Sequence, residues 1–276
     1  MEGGSVTTTF LGTGTSVGVP VIGCPCPVCR SSHPGNQRTR SSLHLQTPEA
    51  SVLIDSGPDL RQQALREGLC EIDAILYTHS HLDHIAGFDE LRSFCWHRED
   101  PLPLYAGPDT MANLERMYPW AMANTSRNYV RPDPHLIEGP FAFKDLLVTP
   151  IPVIHPSVET FGFRFDFPTG HSLAYISDVK EIPVPSITLL QDLDIFVVDA
   201  LRPQPHPTHM NVEEALAVIT QLNPKQSFLT HLAHEIDARE ATVHLRLPEA
   251  VTLACDGLKL TFERQQPCSI LYPSPL

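Results

Sequence analysis

Short apolar segments alternate along this chain with polar turns and with a few segments whose apolar residues recur at helical spacing. Many of the short segments contain β-branched residues and are bounded by turn residues, which is typical of β-strands. They predict strands at residues 7–12, 41–46, 51–55, 73–78, 102–106, 146–153, 160–167, 172–177, 195–199, 227–230, 251–254 and 258–263. Strands in this number, interleaved with few helices, indicate two sheets with helices packed outside them.

Four segments have features of helices. The first begins near Pro58, which suits a first helical turn; Asp59 adds negative charge at its N-terminus, and Gly68 is positioned to end it. The other three helices are predicted at residues 109–117, 212–222 and 235–245.

Asp256 and Gly257 lie between the last two strands and are typical of a hairpin turn. We find no internal repeat and no low-complexity linker, so we expect residues 1–276 to form a single α/β domain.

Residues 96–137 are richer in proline, arginine and aromatic side chains than their surroundings. The segment contains Tyr118, Trp120, Tyr129 and Arg131. Loops positioned on a rigid scaffold often carry function, so a lid over a binding site is one prediction for this segment. An ordinary insertion that packs on the surface is the other.

The composition narrows the class of protein. Nineteen Lys and Arg against 32 Asp and Glu give a formal net charge of −13, which makes binding of nucleic acid through a basic surface unlikely. With 42% hydrophobic residues the chain can bury a core. No segment approaches the roughly 18 apolar residues of a membrane span, and the N-terminus lacks a basic region followed by an apolar one. We therefore expect a cytoplasmic protein without a membrane partner.

The sequence HSHLDH places four potential metal ligands directly after a predicted strand. His79 and His81 are two positions apart, so in extended geometry their side chains share one side and can bind one ion. Asp83 and His84 follow where the chain turns toward a helix, and they could hold a second ion. Imidazole and carboxylate ligands suit zinc, manganese or iron. The alternative is a histidine-rich surface turn.

A second group of potential ligands is formed by Cys24, Cys26 and Cys29 on a loop rich in glycine and proline. The odd number of cysteines, seven, and the lack of a signal peptide argue against a disulfide framework. Three thiolates at this spacing can bind one tetrahedral zinc ion, but they need a fourth donor. Spacing does not identify that donor, since His33 and His44 are the nearer histidines. Free thiols and redox chemistry are the alternatives.

HSHLDH matches the HxHxDH signature of the metallo-β-lactamase superfamily, and the chain resembles this superfamily in its other motifs. Asp55-Ser56-Gly57 precedes HSHLDH, and PVIHP, YISD and FLTH follow it, in the order of the superfamily and over nearly all of residues 6–264. The resemblance implies an αββα sandwich of two mixed β-sheets flanked by helices, with the metal ions at one edge. It implies that His79, His81 and His155 bind one ion, that Asp83, His84 and His231 bind the other, and that Asp178 bridges them.

Within the superfamily, the chain resembles the phosphoribosyl cyclic phosphodiesterases of the carbon-phosphorus lyase pathway. The resemblance lies in LGTGTSVGVPVIGCPCPVC, THSHLDH and THLAH. It implies that His234 completes the zinc site of the three cysteines. It also places His209 beside the substrate phosphate, where an imidazole can bind a phosphoryl oxygen or protonate the leaving alkoxide. Asp199 is a candidate to orient His209, and His206 is a competing candidate for the role of His209.

These features predict a metal-dependent hydrolase of phosphoric diesters. The expected cofactors are two divalent ions, Mn²⁺ or Zn²⁺, in the active site and one structural Zn²⁺. The expected reaction is attack of a hydroxide shared by the two active-site ions on a small, cyclic phosphodiester such as a ribosyl cyclic phosphate. We expect Asp83 and His209 to act in catalysis and a small molecule as the substrate, while the sequence leaves a homodimer open as the assembly.

Three other functions fit parts of this sequence less well. An accessory protein resembling pyrroloquinoline quinone biosynthesis protein B would share the cysteine-rich loop, but that group departs from the full ligand set. An RNA-processing endonuclease would be expected to carry a long basic arm, which this chain lacks. A β-lactamase would be expected to carry a secretion signal.

Overall fold

The computed structural model describes residues 4–96, 98–123 and 129–273. Within these ranges the chain forms two β-sheets that pack face to face, with helices on both outer faces. This confirms the predicted α/β class and the αββα sandwich.

The first sheet combines antiparallel and parallel strands. Strands β3 to β6 are parallel, so their carboxyl ends lie at the same edge of the sheet. In the described residues its spatial order is β15 (Ser269–Leu271), β14 (Lys259–Phe262), β1 (Val6–Gly12), β2 (Ser42–Gln46), β3 (Ser51–Ile54), β4 (Ala74–Leu76), β5 (Leu102–Ala106) and β6 (Pro132–Leu136).

The second sheet is also mixed. Its strands β10 to β13 are parallel. Polar residues lie at or directly after the carboxyl ends of β10, β11 and β12. In the described residues its order is β13 (Val251–Leu253), β12 (Gln226–Thr230), β11 (Ile195–Asp199), β10 (Ser172–Ile176), β9 (Val158–Asp166), β8 (Leu146–His155) and β7 (Phe141–Phe143).

Helices and short helical turns connect these strands. In the described part of the chain they are α1 (Leu60–Glu67), α2 (Leu82–Ile85), α3 (Arg92–Cys95), α4 (Pro108–Met117), α5 (Pro119–Met122), α6 (Val184–Leu189), α7 (Val212–Leu222) and α8 (Ala241–His244), with 3₁₀ turns at Pro34–Asn36 and Phe88–Leu91.

Three apolar layers hold the sandwich together. The central layer lies between the sheets, where the rings of Phe10 and Phe228 have their centroids 5.7 Å apart. Leu60 of α1 belongs to the layer outside the first sheet, and Ile219 of α7 belongs to the layer outside the second. Each sheet therefore buries apolar side chains on both faces, and polar groups concentrate at the strand ends.

The segment 96–137 contributes strands to the first sheet as well as helices outside it. It contains β5, α4, α5 and β6. Residues 97 and 124–128 lie outside the described residues, so a lid over the site stays a prediction. Pro132 and Pro134 disfavour a strand when the sequence alone is considered. Strand β6 lies at the edge of the sheet, where the missing N–H of a proline is tolerated.

The predicted hairpin at Asp256-Gly257 is wrong. Strand β13 belongs to the second sheet and β14 to the first, so the chain crosses between the sheets at this point. The buried Asp256 carboxylate accepts hydrogen bonds from the backbone N and Oγ1 of Thr13 (2.9 and 2.7 Å) and of Thr39 (2.8 and 2.6 Å). These distant partners fix the crossing.

The predicted helix at 235–245 is mostly wrong, because only Ala241–His244 is helical. The preceding residues bond to side chains elsewhere in the chain. The backbone O of Ile236 accepts a hydrogen bond from Arg38, and the backbone N of Ala238 donates to Asn36. Partners from outside the segment thus replace those of a regular helix.

We predict that Asp256→Ala lowers the free energy of unfolding by about 3 kcal/mol, because it removes the shared acceptor of the buried Thr13 and the partly buried Thr39. Urea denaturation would measure this change. Asp100→Ala, which changes an exposed carboxylate, is the matched control. Equal stability of the two variants would contradict this role of Asp256.

Candidate functional site

The predicted ligands of the active-site ions meet at one edge of the sandwich. His79 and the residues after it follow β4, Asp178 follows β10, and His231 follows β12. The structure brings them into two groups, in each of which one ligand atom per residue lies within 4.8 Å of the others. The groups are His79, His81 and His155, and Asp83, His84, Asp178 and His231.

The first group consists of three imidazoles. His81 Nδ1 lies 3.0 Å from His79 Nε2 and 3.3 Å from His155 Nε2. The other ring nitrogens of two members are fixed from behind: His155 Nδ1 donates to the backbone O of Thr208 at 2.8 Å, and His79 Nδ1 lies 3.0 Å from Thr78 Oγ1. Burial lowers the pKa of His79 well below its ordinary value, which keeps a lone pair available for a cation.

The second group combines carboxylates with imidazoles. His84 Nε2 lies 3.1 Å from Asp83 Oδ2 and 3.1 Å from Asp178 Oδ1, and His231 Nδ1 lies 3.4 Å from the same Asp178 oxygen. Among the described residues, His84 Nε2, Asp178 Oδ1 and His231 Nε2 are buried without a hydrogen-bond partner. Buried polar atoms that face one another without bonding are the arrangement expected of ligands to a shared ion.

The charge around His84 supports the same interpretation. Asp55, Asp83 and Asp178 surround this imidazole, and all three are buried. Although burial opposes charging of the ring, the carboxylates raise the pKa of His84 well above its ordinary value. Buried negative charge at this density requires cations. The residues therefore fit divalent ions, with His84 neutral when they are bound.

Asp55 positions His84 from behind. Its Oδ2 accepts hydrogen bonds from His84 Nδ1 at 2.7 Å and from Thr78 Oγ1 at 2.8 Å, while its Oδ1 accepts one from the backbone N of Thr78 at 2.8 Å. Gly57 lies against helix α2, which carries Asp83 and His84. A Cβ at position 57 would come within 2.1 Å of the backbone O of Asp83. The Asp55-Ser56-Gly57 motif thus sets the ring orientation and the position of the ligand segment.

His209 also lies at this edge. Its ring centroid is 4.8 Å from that of His155 and 4.8 Å from that of His231. Its Nδ1 donates to Asp199 Oδ2 at 2.7 Å, and the same oxygen accepts the backbone N–H of Val179 at 3.0 Å. The structure therefore pairs Asp199 with His209 through Nδ1, as the sequence suggested.

The Asp199–His209 pair has shifted protonation equilibria. Burial raises the pKa of Asp199 to about 7. Burial opposes charging of His209 as well, but the hydrogen bond and the charge of Asp199 raise the pKa of His209 above its ordinary value. An imidazole held in its protonated form near neutral pH is suited to donate a proton.

His206 occupies a different position. Its ring centroid lies 5.3 Å from that of His209, and its Nδ1 lies 3.2 Å from Thr208 Oγ1. It belongs to none of the groups of converging ligand atoms found among the described residues. Of the two histidines, His209 is thus the one that lies among the converging ligand atoms of this edge.

The cysteine loop approaches the end of the chain segment that carries His231. His234 Nδ1 lies 3.2 Å from Cys24 Sγ, 3.6 Å from Cys26 Sγ and 3.4 Å from Cys29 Sγ. A backbone hydrogen bond from Cys29 lowers the pKa of Cys26 to about 7. This is the four-ligand set of a closed structural zinc site.

The two histidines nearer in sequence lie elsewhere. His33 Nδ1 accepts the backbone N–H of Gly35 at the start of a 3₁₀ turn, and His44 lies buried in β2 with its Nε2 2.8 Å from Ser51 Oγ. The structure therefore joins His234, and neither His33 nor His44, to the cysteines.

Sequence reasoning missed the contacts that hold the ligand segments in place. Ser41 Oγ lies 3.2 Å from His231 Nδ1, and Asn113 of α4 donates to Ser80 Oγ, between His79 and His81, at 2.8 Å. Tyr118, which follows α4, donates to the backbone O of Ile85 at 3.1 Å. These pairs are distant in sequence, so spacing gave no signal for them.

Comparison with known proteins agrees with this geometry. Residues 50–232 match the family model described as the beta-lactamase superfamily domain. A crystal structure described as a new diphosphatase from the PhnP family superposes on this chain with a TM-score of 0.86. The two sequences are 39% identical, and the match covers 94% of this chain and 97% of the diphosphatase chain. The chain belongs to the PhnP family of the metallo-β-lactamase superfamily. This confirms the resemblance found in the sequence. Membership of this family identifies the chain as a metal-dependent hydrolase.

Two further relatives differ from this chain, one in its length and the other in its sequence. An octanoyltransferase of Porphyromonas gingivalis is 34% identical over 266 residues, 93% of this chain and 51% of that protein. The chain thus spans about half the length of that relative. The structure of zinc-bound PqqB from Methylobacterium extorquens has a TM-score of 0.74 and 22% identity, covers 92% of this chain and 99% of its own, and shares the metallo-β-lactamase fold.

The fold implies bound divalent ions, and the described residues supply the clusters that fit them. None of the helices in the described ranges has the length and apolar character needed to cross a membrane.

We predict that the reconstituted protein binds three divalent ions per chain, because its ligands form one thiolate group and two adjoining groups. Mild chelation should remove two ions and leave the zinc of the thiolate group. Elemental analysis before and after dialysis would measure this. A single tightly held ion after reconstitution would contradict the prediction.

Proposed function

We propose that this metal-dependent hydrolase cleaves a phosphoric diester in a small molecule, such as a ribosyl cyclic phosphate. The observation that carries the proposal is the Asp199–His209 pair beside the carboxylate-rich ligand group. Carboxylate and imidazole ligands suit the hard divalent ions used with phosphoryl groups. A proton donor at the same edge provides what a departing alkoxide needs.

We assign one ion to His79, His81 and His155, and the other to Asp83, His84 and His231, with Asp178 between them. Mn²⁺ or Zn²⁺ suits these ligands, and Zn²⁺ suits the thiolate group. When bound, a pair of divalent ions lowers the pKa of water toward about 7 and neutralises charge on a phosphoryl group.

The protein groups divide the remaining work. Asp55 holds His84 in orientation, and Asp199 holds His209 with its Nε2 free. His209 is partly exposed, so a bound substrate can reach it. We propose that protonated His209 first binds a phosphoryl oxygen and then gives its proton to the oxygen that leaves phosphorus. For a cyclic diester, a water activated by the bound ions would supply the oxygen that bonds to phosphorus as the ring P–O bond breaks, and the product is a monoester.

A diphosphate is the second candidate substrate. The diphosphatase of the PhnP family is 39% identical to this chain over almost all of both proteins. A P–O–P bond places the same demands on the site as a diester, namely charge neutralisation and a proton for the leaving oxygen. Nucleic acid stays an unlikely substrate because the chain carries a net charge of −13. The homodimer stays a prediction.

A substrate panel tests the proposal. We expect metal-reconstituted protein to hydrolyse ribose cyclic phosphates or other small diesters faster than the matching monoesters. Faster hydrolysis of nucleoside diphosphates and dinucleoside diphosphates would favour the second candidate. Hydrolysis of none of these compounds by protein with all three ions would contradict both.

We predict that His209→Ala keeps its fold and its ions but loses roughly 10²- to 10⁴-fold in kcat on a cyclic phosphate, the usual range for general acid catalysis. The loss should shrink for a nitrophenyl diester, since nitrophenolate leaves without a proton. Steady-state kinetics on both substrates would measure the difference. An equal loss that lies mainly in KM would instead assign His209 to phosphate binding.

We predict that Asp199→Asn moves the basic limb of the kcat/KM profile to lower pH. Asp199 raises the pKa of His209, so the acidic form is present below that pKa and is lost as the pH rises through it. Without the carboxylate, the same loss begins at lower pH. Profiles of the parent, Asp199→Asn and the exposed control Asp100→Asn would show this, and superimposable limbs would contradict it.

A further inference from the structure

Arg38 is a buried arginine between the cysteine loop and the segment 231–236. It is 2% exposed. Its Nε donates to the backbone O of Gly35, its Nη1 to that of Ala233 and its Nη2 to that of Ile236, each at 2.8 Å. Its Nη2 also lies 3.3 Å from Asn36 Oδ1. One side chain thus connects the 3₁₀ turn after the cysteines to two carbonyl groups near His234.

The segment 231–236 contributes to two ligand groups. His231 belongs to the group of Asp83, His84 and Asp178, and His234 belongs to the group of the three cysteines. His231 has a φ of 56°, which a non-glycine residue adopts only where its surroundings hold it. Leu232 is held on one side, because its N donates to the backbone O of Thr13 at 2.8 Å. Arg38 holds the residues that follow.

The environment of Arg38 fits a role in organising the backbone. Its four acceptors are uncharged, so the guanidinium makes no ion pair through these bonds. Burial lowers the pKa of Arg38 to about 10, and the group stays protonated near neutral pH. Three thiolates with one divalent ion would have a net charge of −1. Together with the more distant Asp256 and Asp237, that charge would offset the buried cation.

We propose that Arg38 is a positioning residue that holds segment 231–236 in the conformation in which His231 and His234 reach their separate ion sites. It thereby couples the occupancy of the thiolate site to that of the carboxylate site. The inference rests on the proposed ion sites and not on the identity of the substrate.

Arg38→Lys tests the proposal, because lysine keeps the charge but cannot reach all the carbonyl groups at once. Arg30→Lys, an exposed position in the same loop, is the matched control. The protein is loaded with Co²⁺, and a chelator is added in steps. The thiolate-to-cobalt charge-transfer band reports the thiolate site, and elemental analysis reports the other ions.

We expect Arg38→Lys to lose Co²⁺ at about tenfold lower chelator concentration from the thiolate site and from one of the other two sites, in keeping with residues that orient ligands. Arg30→Lys should match the parent. Unchanged retention at both sites would overturn the role of Arg38. A loss confined to the thiolate site would overturn the coupling.

Hydrogen exchange of the unaltered protein gives a second test, should Arg38→Lys fail to fold. We expect the backbone amides of residues 232–236 to lose protection when a thiol-specific mercurial displaces the thiolate ion while excess Mn²⁺ keeps the other two sites filled. Unchanged protection would contradict the coupling. Neither measurement uses turnover, so a negative substrate panel would refute the proposed function and leave this inference standing.

Discussion

The buried carboxylates around His84 are the constraint on which the site depends. Asp55, Asp83 and Asp178 lie within hydrogen-bond or ion-pair distance of one imidazole at the edge of a close-packed sandwich. Such a cluster is costly in a low-dielectric interior unless cations compensate it. Parallel strands of both sheets bring their carboxyl ends to this edge, so the same topology that concentrates the charge also supplies the histidines that share the ions.

The segments that carry the metal ligands are held by residues that are not themselves ligands. Asp55 fixes His84, Ser41 contacts His231, and Asn113 contacts the serine between His79 and His81. Helix α7 begins at Asn211, which forms a reciprocal cap with Glu214 and fixes the end of the loop that carries His209. The metal centre is therefore positioned from behind at each segment, as sites that need precise geometry require.

Local pattern predicted most of the strands, because the apolar pattern of a strand depends on neighbours in sequence, whereas His155, Asp178 and His231 were assigned as ligands through family resemblance. The helix at Val212–Leu222 has its predicted bounds, and HSHLDH follows a strand, as the apolar run before it indicated. Partners distant in sequence decided the rest. Asp256 bonds to Thr13 and Thr39 where a hairpin was predicted, and Arg38 and Asn36 bond to residues 236–238 where a helix was predicted. His234 was assigned to the cysteines through family resemblance, because spacing alone left His33 and His44 as alternatives.

In the arrangement that we propose, cations lie on both sides of Asp178 and a third lies among the cysteines. Anomalous diffraction from crystals of the Zn²⁺- and Mn²⁺-loaded protein, recorded on each side of the absorption edges, locates every ion directly. We expect one zinc peak within bonding distance of Cys24, Cys26, Cys29 and His234, and two further peaks that share Asp178. Crystals of the loaded protein with no peak beside Asp178 would contradict it.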